Sequence, residues 1–254
     1  MRILFLMNDE GSPPGVLGEE TRALSHSTSV LVPYKGISYD TSLPGTVPTS
    51  ADEFDGLVVL GGAMSILDEV NYPFVDQTRK LFHVFDQADK PVMGVCFGAQ
   101  LLADAHGGSV RKLGHTEWGF LPQTWGPAIA HDPLLKDSQP DLPLMQWHGD
   151  TFDMPADAVP LAARTDCPSQ AFRLGEINWG FQFHLEMDEP TLMKWADLRA
   201  EEIGSDVESV RTEMRLAINT HHDNQVKFAR TVMRRWLNVC AQKSGQAQSP
   251  PKAT

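Results

Sequence analysis

Three stretches of this chain carry residue types at spacings that suit nucleophilic chemistry on a carbonyl group. The first is Gly94-Val95-Cys96-Phe97-Gly98-Ala99-Gln100. Its thiol lies where an apolar run bounded by Pro91 gives way to the helix-like spacing of Leu101, Leu102 and Ala105, which Gly107 can end in a left-handed conformation. A strand that turns sharply into a helix at a reactive residue tolerates only small neighbours, because side chains there collide. Gly94 and Gly98 flank Cys96 at two residues on either side, the pattern of a nucleophile elbow with cysteine in place of serine. The free N–H groups at the start of the following helix favour an anion at the sulfur. A buried core cysteine is the structural alternative.

A thiol nucleophile needs a base to take its proton and a third group to hold that base. Gly180-Phe181-Gln182-Phe183-His184-Leu185-Glu186 supplies both at the end of an alternating strand. Glu186 can accept a bond from one imidazole nitrogen of His184, fixing the tautomer that leaves the other for Cys96. The alternative is a core or rim histidine beside an unrelated glutamate. Gly61-Gly62 follows another apolar run; backbone N–H groups there, joined by that of Phe97, can approach a tetrahedral oxyanion. Alone, the glycine pair is only a turn. Trp147-His148-Gly149-Asp150 closes a further apolar run and is read as the start of a loop. His148 is a competing general base, a substrate contact, or a loop histidine bonded to Asp150.

The elements that must position these groups alternate in type. Strands are expected at Arg2 to Asn8, Ser29 to Pro33, Phe54 to Leu60 and Pro91 to Val95, with helices at Val16 to His26, Pro73 to Ala88 and after Cys96. Lys35 to Glu53, rich in Gly, Pro, Ser and Thr, reads as a surface loop. This alternation implies a parallel sheet with helices on both faces and a ligand crevice at the carboxyl ends of the strands, where Gly61-Gly62 and Cys96 both fall. After Gly108, short β-like runs (Ser109 to Lys112, Phe120 to Thr124, Leu142 to Trp147, Val159 to Arg164, Ser169 to Leu174, Ile177 to His184) are expected to extend the sheet with antiparallel strands. Asp188 or Glu189 caps a helix that Gly204 stops, Ser205-Asp206-Val207-Glu208 reads as a capping box, and a last amphipathic helix spans about Asn224 to Cys240.

The chain has 254 residues, enough to bury one full α/β core, with 41% hydrophobic and 21% charged residues. The domain reading is a single unit over 1–241, with extra helices from about 205 and a disordered tail at 242–254. A net charge of −12 argues against a nucleic-acid surface or attraction to an anionic membrane. No stretch approaches membrane-spanning length, and the N-terminal apolar run is too short for a signal peptide and reads as a first strand. Three scattered cysteines make neither a disulfide framework nor a metal motif, and a cytoplasmic location is expected. His221-His222 has no ligand spacing that would join it to His184 and Glu186, so no metal and no cofactor are expected.

Taken together, these motifs resemble the class I, triad-type glutamine amidotransferase family. Gly61-Gly62 stands at that family's oxyanion glycines, and Gly94 to Gln100 fits its G-x-C-x-G-x-Q elbow with Gln100 on the substrate side. Phe181 to Glu186 fits its Q-F-H-P-E segment, and Trp147-His148-Gly149-Asp150 is similar to the S-H-G-D loop of the GMP synthetase glutaminase domain. The likeness runs from Met1 to about Trp195 and departs from the pattern where Leu185 and Ala63 replace prolines. It implies a flavodoxin-like open mixed sheet, mostly parallel. It also implies a Cys96–His184–Glu186 triad, an oxyanion site at Gly61, Gly62 and Phe97, and substrate contacts from Gln100, His148, Gly149 and Asp150. The reaction implied is hydrolysis of the side-chain amide of glutamine, or of a glutamine-like substrate, through a γ-glutamyl thioester. No G-x-x-x-x-G-K-[ST] loop is present, so ammonia would pass to a synthetase partner in trans or be released. A γ-glutamyl peptidase and a catalytically silent binding module are the other readings, and the oligomeric state is left open.

Overall fold

The computed structural model describes residues 1–40 and 42–245. Its first half runs β1 (Arg2–Leu6), α1 (Gly15–Ala23), β2 (Ser27–Val32), β3 (Ile37–Ser38), β4 (Gly56–Val59), α2 (Phe74–Gln87), β5 (Val92–Val95) and α3 (Phe97–Ala105). The second half continues with β6 (Ser109–Pro122), β7 (Thr124–Trp125), β8 (Pro143–Asp153), β9 (Val159–Ala163), β10 (Ala171–Leu174) and β11 (Asn178–Phe181). It closes with α4 (Glu189–Ile203), α5 (Val207–Ala217) and α6 (Asp223–Lys243).

Every residue of β4, β5 and β11 is buried, as expected of central strands covered on both faces, and their continuous apolar runs reflect it. The main sheet has the order β3-β2-β1-β4-β5-β11-β10-β9-β7. Its middle, β2-β1-β4-β5-β11, is parallel, and both flanks are antiparallel. The parallel middle is what the alternation predicts, and the sheet as a whole is the mixed, mostly parallel architecture that the resemblance implies. One core lies on each side: Ile3, Phe5, Val58 and Met93 pack with α6, and Leu4, Leu57, Val59 and Val92 pack with α2 and α3.

The second half differs from expectation in two respects. β6 and β8 do not extend the sheet; they pair antiparallel with each other as a separate two-stranded ribbon, with a register shift between Lys112 and Glu117. β11 does join the sheet, but as a parallel strand between β5 and β10. The supposed loop over 35–53 carries the short edge strand β3.

Asp188 caps α4 by accepting from the Thr191 N–H at 2.8 Å, and Gly204 ends it at φ 65°. The next N-cap is Asp206, bonded to the Ser209 N–H at 2.9 Å, so the expected box starts one residue late. A π-helical turn, Ile218–His222, links α5 to α6. Ala229, Val232, Met233, Trp236, Leu237 and Cys240 of α6 are buried in the core, so the amphipathic face is covered by its own chain. Buried Glu20 of α1 pairs with Arg230 and Arg234 across that contact. α6 runs through Lys243, past the expected start of the tail at 242, and 246–254 of that segment lie outside the described residues. Among the described residues, no helix is long and apolar enough to cross a membrane.

Candidate active site

Cys96 sits between β5 and α3 at φ 49°, ψ −109°, a conformation that costs a non-glycine residue about 1–3 kcal/mol. The surroundings over-determine it. Its N–H donates to Phe181 O at 2.7 Å, and its carbonyl accepts from Ala99 and Gln100 N–H at 3.0 Å each. The flanking glycines are required by contact: a Cβ on Gly94 would lie 2.5 Å from Gly98 O, and one on Gly98 would lie 2.0 Å from Val59 O. Backbone, which cannot swing aside, occupies both spaces. The N–H groups of Phe97 and Gly98 open α3, where a helix offers no internal acceptor.

His184 follows β11, and its backbone N–H donates to Met145 O on β8 at 2.8 Å. Its Nδ1 lies 2.7 Å from Glu186 Oε1, in a pair whose side chains are 2% and 0% exposed. Nε2 is buried with no hydrogen-bond partner of its own, and the imidazole lies beside the Cys96 sulfur. Burial alone favours a neutral ring, but the negative charges of Glu186 and Cys96 outweigh it and push the imidazole up to about 10. The imidazole is therefore held in its charged form beside the sulfur. Trp195 of α4 packs edge-on against the His184 ring at 4.6 Å between centroids, anchored by its Nε1–H to Gly11 O at 2.8 Å. A Cβ on Gly61 would meet His184 Cε1 at 2.9 Å, so this glycine makes room for the ring.

Cys96, Gly62, Phe97, Gln100, His148, Gly149, Asp150 and His184 all line one cavity of about 570 Å³. Gly61 and Glu186 do not line it; Gly61 lies against the His184 ring and Glu186 against its Nδ1. Gly62 and Cys96 thus share one cavity. Lys112 and Thr116 from β6 and Trp195, Leu198 and Glu202 from α4 also line it.

Gln182 has a role that its motif alone does not assign. Its Nε2 donates to Cys96 Sγ at 3.6 Å, while its Oε1 accepts from Gln100 Nε2 at 3.1 Å. Gln100 also donates to Asp150 O at 3.1 Å, so its amide ties the elbow helix to β8. The carboxylate of Asp150 accepts from Ser65 Oγ at 2.5 Å and pairs with Lys112 at 2.8 Å. Trp195 was likewise missed; its only sequence signal is an aromatic residue on the helix that opens five residues after His184.

The Trp147–Asp150 stretch lies within β8 rather than in a loop. His148 has an oxygen at each ring nitrogen: Asp150 O at 2.8 Å from Nδ1 and Glu117 Oε2 at 2.9 Å from Nε2. The second contact is a close approach of the carboxylate rather than a directed hydrogen bond. Neither nitrogen is free to act as the competing base. Burial would raise the Glu117 carboxyl, but His148 and Arg164 hold it below its ordinary range. Cys167 approaches this pair, making a second Cys–His–Glu grouping. Neither Cys167 nor Glu117 lines the cavity, and burial pushes the Cys167 thiol up, away from the reactive anion.

The family model for class I glutamine amidotransferases matches residues 21–193. This chain belongs to the class I glutamine amidotransferase family. It is 35% identical over 144 residues to the glutamine amidotransferase-like protein YfeJ of Salmonella typhimurium, a match over 55% of this chain and 60% of that protein. It is 31% identical over 140 residues to a glutamine-hydrolysing GMP synthase of Tolumonas auensis, covering 52% of this chain and 25% of the synthase. The chain therefore matches well under two thirds of the length of these relatives. A glutamine amidotransferase crystal structure from Thermotoga maritima superposes with a TM-score of 0.78 at 26% identity, over 95% of this chain and 98% of that one. One from Methylobacillus flagellatus gives 0.77 at 25% identity, over 100% and 98%.

Within this amidotransferase-family chain, both departures from the motif have a physical substitute. Leu185 is fully buried in the core, and the backbone on either side of it is pinned by His184 N–H to Met145 O and by Val16 N–H to Glu186 O. Ala63 keeps an N–H that proline would lack, and it points to Asp9 Oδ2 at 3.4 Å.

Proposed function

We propose that this chain hydrolyses the side-chain amide of glutamine or of a glutamine-like γ-glutamyl compound. The observation that carries the reading is a strained thiol at a cavity floor, beside a buried imidazole whose far nitrogen is held by a carboxylate. Cys96 Sγ attacks the amide carbon. The oxygen that gains charge is received by the N–H groups at Phe97 and the Gly61-Gly62 turn. His184, held by Glu186, gives its proton to the departing nitrogen, and ammonia leaves as the γ-glutamyl thioester forms. Water then attacks the thioester with His184 as base, releasing glutamate and the thiol. Gln100, Gly149 and Asp150 bound the space for the glutamyl part, and His148 holds that wall in place through Glu117.

A silent module has no use for this arrangement, so the enzyme reading is preferred. Ammonia passes to a synthetase partner in trans or is released. A γ-glutamyl peptide is the second substrate reading, because about 570 Å³ lies within the range that holds drug-sized ligands and exceeds the need of one amino acid. Supplying purified chain with glutamine and with γ-glutamyl peptides, and measuring glutamate, separates the two. Release from peptides alone would exclude the glutaminase reading.

A further inference from the structure

His83, Asp86 and His106 lie together at the far end of α2 and α3 from the thiol. Nothing in the proposed reaction uses them. His106 Nε2 is 2.8 Å from Asp86 Oδ2, His83 Nδ1 is 3.7 Å from the same oxygen, and the three donor atoms lie within 4.8 Å of one another. The outer partners already match those of a metal site. His106 Nδ1 is 2.8 Å from Leu102 O, which makes Nδ1 the N–H and directs Nε2 inward. Asp86 Oδ1 accepts from Asn178 Nδ2 at 2.6 Å, leaving Oδ2 for the centre. The rings of His83 and His106 are 5.2 Å apart between centroids, and His83 is half exposed with no hydrogen bond among the described residues, which gives an ion an entry path.

We propose that His83, Asp86 and His106 form a binding site for a divalent transition metal, with zinc the best chemical match. Two imidazoles and a carboxylate suit zinc, which takes such ligands at about 2.0–2.2 Å and so wants donors roughly 3.3–3.5 Å apart. The separations from Asp86 Oδ2, 2.8 and 3.7 Å, fall on either side of that value, and all three donors lie within 4.8 Å of one another, so side-chain shifts on the order of an ångström admit the ion. The cations nearest on α2 do not oppose it, since Arg79 pairs with Glu69 and Asp104 and Lys80 pairs with Asp76. α3 separates the site from Cys96 by nine residues, about 13 Å of helix. The ion would clip α2 to the end of α3 and, through Asn178, to the start of β11. No motif shows this in the sequence, because the third ligand comes from another element twenty residues on.

The test is calorimetric titration of the full chain with Zn²⁺ after chelator treatment, alongside absorption spectra with Co²⁺. Wild type should bind one equivalent. His83→Ala, which breaks no hydrogen bond, should weaken binding about tenfold or more, and His106→Gln further. Cys96→Ala should bind as wild type does, with no thiolate-to-cobalt band in either protein. Equal affinity in wild type and His83→Ala, absence of binding, or loss of binding in Cys96→Ala would each overturn the proposal.

Discussion

Replacing Glu186 by glutamine keeps the size of the side chain and an oxygen near His184 Nδ1, but removes its charge. The imidazole stands at about 10 against an ordinary 6.5, a preference for the charged ring on the order of 5 kcal/mol. Glu186 is the largest contributor among the groups that raise it, and burial acts against it. In Glu186→Gln only Cys96 opposes burial, so the imidazole should fall toward or below its ordinary value. Removing one member of a buried pair costs about 3–5 kcal/mol, and amide-for-carboxylate exchange at the orienting residue of a serine protease triad lowers kcat about 10⁴-fold. We therefore expect kcat/KM for glutamate release to fall about 10³–10⁴-fold with KM little changed. The alkaline limb of the pH profile should move to lower pH. The assay is glutamate release from pH 6 to 10 for both proteins, with circular dichroism to establish that the variant is folded. A variant within tenfold of wild type, with its alkaline limb in place, would refute the reasoning.

Gly98→Ala puts a Cβ 2.0 Å from Val59 O, so α3 must separate from β4. It should cost about 1–3 kcal/mol or more in a thermal melt and, by displacing the elbow from the Gly61-Gly62 turn, about 100-fold in kcat. Gln182→Leu removes the donor to Cys96 and strands a Gln100 N–H in the interior, at about 1–3 kcal/mol. Its kcat should fall while KM changes less; an unchanged kcat would show that Gln182 is only packing. A raised imidazole means that the His184 contribution to stability is complete below pH 6.5 and is lost as pH rises through about 10. Urea midpoints measured from pH 6 to 10 should therefore decline more steeply in wild type than in Glu186→Gln.

The local parts of the site were legible in the sequence because their causes are local. Gly94 meets Gly98 within the elbow itself, and His184 and Glu186 meet two residues apart, although the contact that requires Gly98, with Val59, comes from another strand end. What was misread depends on partners far along the chain. His148 looked available until Glu117, on the neighbouring ribbon strand, occupied its second nitrogen. Strand propensity is legible only in parts of β6 and β8 (Ser109 to Lys112, Phe120 to Pro122, Pro143 to Trp147), and propensity does not say which strand a segment pairs with; these two pair with each other. The same holds for β11, whose parallel place between β5 and β10 delivers His184 to Cys96. Trp195 approaches His184 only because α4 folds back over the strand ends.

The most direct test of the central claim is to incubate the protein with a glutamine-like electrophile and map the adduct by peptide mass spectrometry, next to glutamate release by Cys96→Ala. A single adduct on Cys96 and no release by the variant are expected. An adduct on Cys167, within the second Cys–His–Glu grouping, or full hydrolysis by Cys96→Ala, would contradict it.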